Sequence, residues 1–137
     1  MSVENTKKLN MNKFATAINC MDGRVQLPVI QWLKKEYGIN YVDMITEPGP
    51  NKVLAECKEN AVIDSIKKRV DISVNKHNSK LIAIVGHYDC AGNPAEKDTQ
   101  LKHIITAIKM VKLWNFGVKV IGLWVDENWN VHNVGDL

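Results

Sequence analysis

No stretch of this 137-residue chain reaches the roughly 18 consecutive apolar residues that a membrane-spanning helix needs. The opening segment, MSVENTKKLNMNK, is polar and lacks the apolar core of a secretory leader. A cytoplasmic location is therefore the expectation. Cysteine is scarce: only Cys20, Cys57 and Cys90 are present. In a cytosolic chain so few cysteines point away from a disulfide framework and towards metal or thiol chemistry. A strong charge excess is also missing. The net charge is +3, and the densest basic cluster, Lys67-Lys68-Arg69, falls in a predicted helix, where a solvated face accounts for it. Neither nucleic acid nor a membrane is expected as a partner. There is no internal repeat, linker or low-complexity segment, so one domain of common size is expected.

What is present is alternation. Residues 1–12 read as a flexible polar arm, and residues 13–137 as the domain. Phe14 to Ile18 reads as a strand. From Pro28 to Tyr37, Ile30, Leu33 and Tyr37 recur at helical spacing before Gly38. Tyr41 to Ile45 is a second strand candidate, followed by the irregular loop TEPGPNK. A long helix is predicted from about Lys52 to Val70, with Leu54, Cys57, Ala61, Ile66 and Val70 on one side. Cys57 thereby reads as a packing residue. Leu81 to Val85 is short and continuously apolar, as a central parallel strand is. A helix capped by Asp98 or Thr99 carries Leu101, Ile104, Ile105, Ile108 and Val111. Val118 to Val125 is the last long strand, and Val131 to Val134 a short returning one. The order predicts a single-domain α/β fold. Its sheet has about four mostly parallel strands flanked by helices, with a short antiparallel strand at the C-terminal edge.

In such sheets ligands bind outside the carboxyl ends of the strands. Two loops leave the first and third strands there: NCMDGR, residues 19–24, and GHYDC, residues 86–90. Together they hold two thiols, an imidazole, carboxylates and a guanidinium. Zinc favours sulfur and imidazole ligands in tetrahedral geometry. His87 and Cys90, spaced H-x-x-C, reach one ion from a single turn, and Cys20 comes from the neighbouring strand end. Three protein ligands leave a fourth position open, as catalytic zinc sites do. Asp22 is the nearest candidate to close it. His77, His103 and His132 read as solvated surface residues. Tyr88 either lines the pocket or covers the metal. Trp32, Trp114, Trp124 and Trp129 read as core or interface residues.

With Cys20-Met21-Asp22-Gly23-Arg24 after the first strand and His87-Tyr88-Asp89-Cys90 after the third, the chain resembles a β-class carbonic anhydrase, whose motifs are C-x-D-x-R and H-x-x-C. The segment GLWVDENWNVHNV is also similar to that family's final strand and turn, so the resemblance spans about residues 13–135. It implies that Cys20, His87 and Cys90 ligate Zn2+, that Asp22 hydrogen-bonds the zinc-bound water, and that Arg24 holds Asp22. The implied activity is that of a zinc lyase: reversible hydration of carbon dioxide to bicarbonate by zinc-bound hydroxide, in a homodimer or larger homo-oligomer. Two thiolates cancel the ion's formal charge, so activity should rise at alkaline pH. The pattern departs from the family at Thr46-Glu47-Pro48-Gly49, where members often carry Arg-Asn-Ala-Gly, and at Gly23, which replaces a serine or alanine. Glu47 brings negative charge towards the site, which disfavours bicarbonate. Two alternatives follow: hydrolysis of carbonyl sulfide or carbon disulfide, or a closed, non-catalytic zinc site with Asp22 as fourth ligand.

Overall fold

The computed structural model describes residues 13–136, so the expected arm at residues 1–12 lies outside the described residues. Five strands form one sheet: β1 (Phe14–Cys20), β2 (Tyr41–Glu47), β3 (Leu81–His87), β4 (Lys119–Val125) and β5 (Val131–Asp136). Their order is β2-β1-β3-β4-β5. The first four are mutually parallel, and β5 runs antiparallel to β4 at the edge. All seven residues of β3 are buried, as a continuously apolar segment covered on both faces requires.

Helix α1 (Gln26–Tyr37) follows β1 through a 3-10 turn at Gly23–Val25. Helices α2 (Pro50–Glu56) and α3 (Asn60–Lys76) connect β2 to β3, and α4 (Lys97–Leu113) connects β3 to β4. Val29 and Leu33 of α1 pack on one face of the sheet, against Ala15, Ala17, Ala83, Val85 and Leu123. Leu54, Ile63, Ile66, Val70, Ile104 and Ile108 of the other three helices pack on the opposite face, against Ile18, Ile82 and Ile84. The chain leaves β1 towards β2 on one side and later returns to β3 on the other. The sheet therefore reverses its strand order between β1 and β3, which is where α/β folds open a crevice at the carboxyl edge.

The structure corrects three expectations. The single helix over Lys52 to Val70 is two helices. Leu54 and Ile63 are both buried, yet nine residues at ~100° each put them about half a turn out of phase, so no straight helix buries both. The chain breaks at Cys57, whose φ of 56° is left-handed and whose N–H donates to the Val53 carbonyl at 3.2 Å. Cys57 is thus an exposed helix cap rather than a packing residue, and Ala61 is exposed as well. At α4, neither Asp98 nor Thr99 is the cap. The Glu96 carbonyl already accepts from the Gln100 N–H at 3.0 Å, so the helix begins at Lys97 and Asp98 lies in its first turn.

The expected ends also move outwards by a few residues. Helix α1 starts at Gln26, so Pro28 sits in its first turn, where its missing N–H costs no helical bond. It stops at Gly38, whose φ is 64°. Strands β1 and β3 extend to Cys20 and His87. Among the tryptophans, Trp124 is buried, and Trp32, Trp114 and Trp129 pack partly buried against the two cores.

Candidate metal centre

Cys20 and His87 are the last residues of β1 and β3, and Cys90 closes the turn that follows β3. The three side chains are buried, and one donor atom from each lies within 4.8 Å of the others. The Cys20 and Cys90 sulfurs are 3.8 Å apart. Both are free thiols.

Side-chain carboxamides hold the backbone of the site. The Asn19 carboxamide accepts from the Cys20 N–H at 2.8 Å and donates to the Val25 carbonyl at 3.1 Å. Gln26 donates to the Cys20 and Asp22 carbonyls at 2.7 and 2.9 Å. Gln100 of α4 accepts from the His87 N–H at 3.3 Å. Its amide donates to the carbonyls of His87 (2.9 Å), Asn93 (3.2 Å) and Ala95 (3.3 Å). These residues were not singled out in the sequence. The one signal for Gln100 is its position four residues before Ile104 in the apolar stripe of α4, where a polar residue must find partners.

The loop after β2 lies against the loop that carries Cys90. A Cβ on Gly49 would come within 2.7 Å of the Gly92 backbone, and the φ of Gly49 is 58°. Both conditions select glycine, which explains why Gly49 stands in an otherwise divergent TEPGP segment. The Glu47 carboxylate is held by Arg69 of α3 at 3.1 Å, so its charge is compensated and does not act alone on the site.

Three features test whether a zinc ion fits. Two sulfurs each ~2.3 Å from one tetrahedral zinc are about 3.8 Å apart, and the observed separation is 3.8 Å. The His87 Nδ1 lies 2.8 Å from the Tyr88 carbonyl, which can only accept, so Nδ1 carries the ring proton. Nε2 is thereby left as a bare lone pair, and it is buried with no hydrogen-bond partner. A buried nitrogen acceptor facing two sulfurs is an unsatisfied arrangement that a thiophilic cation completes. Without a metal, the Cys90 thiol donating to Cys20 holds the Cys20 pKa well below the ordinary thiol value, against the opposing effect of burial. The same contact pushes Cys90 up.

Beside this group, Asp22 and Arg24 form a forked ion pair. Arg24 Nη2 donates to Asp22 Oδ2 at 2.7 Å and Nε to Oδ1 at 3.0 Å. The backbone N–H of Arg24 also donates to Asp22 Oδ1, at 2.9 Å. The guanidinium holds the Asp22 pKa down to about 2, so the carboxylate is ionised at any physiological pH. A cavity of about 330 Å³ opens here, lined by Asp22, Arg24, Asp89, Cys90, Ala91, Pro94 and Ala95. A second cavity, of about 360 Å³, opens at the opposite edge of the sheet beside Lys13, Tyr37 and Lys80, and no metal-ligating side chain lines it.

Tyr88 is half exposed and lines a separate cavity with Asp89 and Trp124. His103 is half-buried, contrary to expectation, because its Nδ1 accepts from the Asn93 carboxamide at 3.0 Å. His77 and His132 are exposed, but each is paired at 2.7 Å, with Asp43 and Asp126 respectively.

A buried Cys–His–Cys donor set at the carboxyl ends of two adjacent parallel strands defines an α/β protein with a candidate zinc centre. Residues 10–135 match the family described as "Putative carbonic anhydrase", and the chain belongs to that family. No curated protein matches it in sequence. In fold it is similar to β-carbonic anhydrase isoform I of Trichomonas vaginalis, with a TM-score of 0.61, 15% identity and 99% of each chain covered. It is also similar to the carbonic anhydrase of Streptococcus mutans, with a TM-score of 0.56 and 16% identity over 98% of this chain and 99% of that one. The carbonic anhydrase from Glaciozyma antarctica gives 0.56 and 12% identity over 88% and 81%.

Proposed function

We propose that this protein is a zinc-dependent carbonic anhydrase that interconverts carbon dioxide and bicarbonate. The observation that carries the reading is the orphaned His87 Nε2 facing two buried thiols beside an Asp22 carboxylate held by Arg24. Cys20, His87 through Nε2, and Cys90 would hold the ion. Zinc, when bound, supplies Lewis acidity that makes water deprotonation accessible near neutral pH.

The chain's own residues do the rest. Asp22 is anionic and faces the cavity that also reaches Cys90. It can only accept hydrogen bonds, so it orients a water proton towards itself and a lone pair towards incoming carbon dioxide. Arg24 occupies both oxygens of Asp22 and keeps that carboxylate from becoming a fourth ligand. Ala91, Pro94 and Ala95 supply an apolar side to the cavity, opposite the charged Asp22, Arg24 and Asp89, against which an apolar gas can rest. The reading includes a cytoplasmic location and a homodimer or larger homo-oligomer.

Stopped-flow hydration of carbon dioxide by zinc-loaded protein tests the reading. Zinc-dependent turnover that Cys90→Ser abolishes supports it. A protein holding one zinc per chain without carbon dioxide turnover contradicts it. Sulfide release from carbonyl sulfide or carbon disulfide would then identify the sulfur substrates instead.

A further inference from the structure

We propose that Trp129, in the turn between β4 and β5, is a positioning residue that walls the Arg24 guanidinium and so fixes Asp22. The inference rests on the role given above to Asp22 and Arg24. Arg24 is held on three sides. One edge bonds Asp22. The other donates from Nη2 to the Asp89 carbonyl at 3.1 Å and from Nη1 to the Asp89 carboxylate at 3.3 Å. Its face lies 4.6 Å from the centre of the Trp129 ring.

Ion pairs alone explain this arrangement poorly. The Arg24 side chain is 46% exposed and the Asp89 side chain 69%, so solvent screens that outer ion pair and leaves only the Asp22 fork to restrain the guanidinium. An aromatic wall removes water from one face of the guanidinium and restricts its rotation.

The backbone points the same way. Trp129 has φ 63° and Asp89 has φ 57°, so both residues that hold Arg24 from outside are left-handed. Asp tolerates that region, whereas a bulky tryptophan there is uncommon and must be compensated. The turn supplies the compensation. Asp126 Oδ1 accepts from the N–H groups of Asn128 and Asn130, both at 2.9 Å, and the Asp126 carbonyl accepts from the Trp129 N–H at 2.9 Å. Trp129 also packs, partly buried, against the core on the α1 face and lines a groove there with Pro28 and Trp32. The final strand pair thereby reaches the loops of β1 and β3 through one side chain.

The test compares zinc-loaded wild type, Trp129→Ala and Trp129→Phe by stopped-flow hydration and by hydrogen exchange of the Arg24 Nε–H in nitrogen-15 spectra. Zinc content should stay unchanged in all three. Trp129→Ala should lose about tenfold in kcat/KM and exchange its Nε–H about tenfold faster, the size of a partly desolvated cation–π contact. Trp129→Phe should hold both within about threefold, because a smaller ring keeps part of the wall. Nε–H exchange unaffected by Trp129→Ala would overturn the inference, as would Phe and Ala being equally harmful. If Trp129→Ala does not fold, Trp129→Leu replaces it: apolar bulk without a ring should restore folding but not protection. The exchange readout needs no turnover, so it decides the inference even where the hydration assay refutes the proposed function.

Discussion

At the residue scale, the site combines groups of unequal charge behaviour. In the proposed reading Cys20, His87 and Cys90 are the donors, and Asp22 and Arg24 control what approaches them. Replacing Cys90 by Ser should lower zinc affinity by at least about 100-fold, because a hydroxyl is a far poorer ligand than a thiolate for this ion; competition with a chelating dye reads this directly. Arg24→Ala should leave zinc content intact while hydration activity falls by about 100-fold or more, as expected when a transition-state orienting group is lost. Wild-type activity in Arg24→Ala would show that Asp22 needs no partner. The Asp22–Arg24 pair also sets an acid limit. Asp22 has a folded pKa of about 2, below the ~3.9 of an unfolded Asp. Its contribution to stability is therefore fully present above pH ~4 and is lost as pH falls from there towards 2. Asp22→Asn should flatten that part of an acid denaturation curve.

At the element scale, periodicity and loop chemistry made most of the fold legible. The apolar run of β3, the stripe of α4 and the glycine stop of α1 all reflect burial or steric limits that act within a few residues. The two loops that bring Cys20, His87 and Cys90 together were legible for the same reason: thiol, imidazole and carboxylate at strand ends have few other uses. The break at Cys57 was not legible, because Leu54-Cys57-Ala61 imitates a continuous stripe and only the packing of Leu54 and Ile63 on the same side exposes the phase error. The buried carboxamides Asn19, Asn51, Asn93 and Gln100 were hidden for a related reason: their partners are backbone groups or distant side chains that no local pattern specifies. Two outcomes follow. Cys57→Asn should keep or raise stability by up to about 1 kcal/mol, since Asn suits a left-handed cap better than Cys does. Gln100→Leu should cost about 1–3 kcal/mol, because it strands the buried His87 N–H and C=O. Urea denaturation of both variants checks the pair, and similar losses would mean that Cys57 packs after all.

At the scale of the whole molecule, the sheet sets where the candidate site forms. Reversal of strand order between β1 and β3 brings Cys20 beside His87, although 67 positions separate them in the chain. The three helices on one face and α1 on the other cover the sheet, while the turn before β5 delivers Trp129 to Arg24. For the loaded protein, hydration activity should rise between about pH 7 and 9, since two thiolates offset the ion's charge and weaken its acidifying effect; a flat profile would contradict that argument. The proposed chemistry depends first on the donor set itself. Equilibrium zinc titration of wild type beside Cys20→Ser, His87→Ala and Cys90→Ser measures it most directly. One zinc per chain is expected in the wild type, with sharply weaker binding in all three variants. Tight one-to-one binding that survives any of those three substitutions would contradict it.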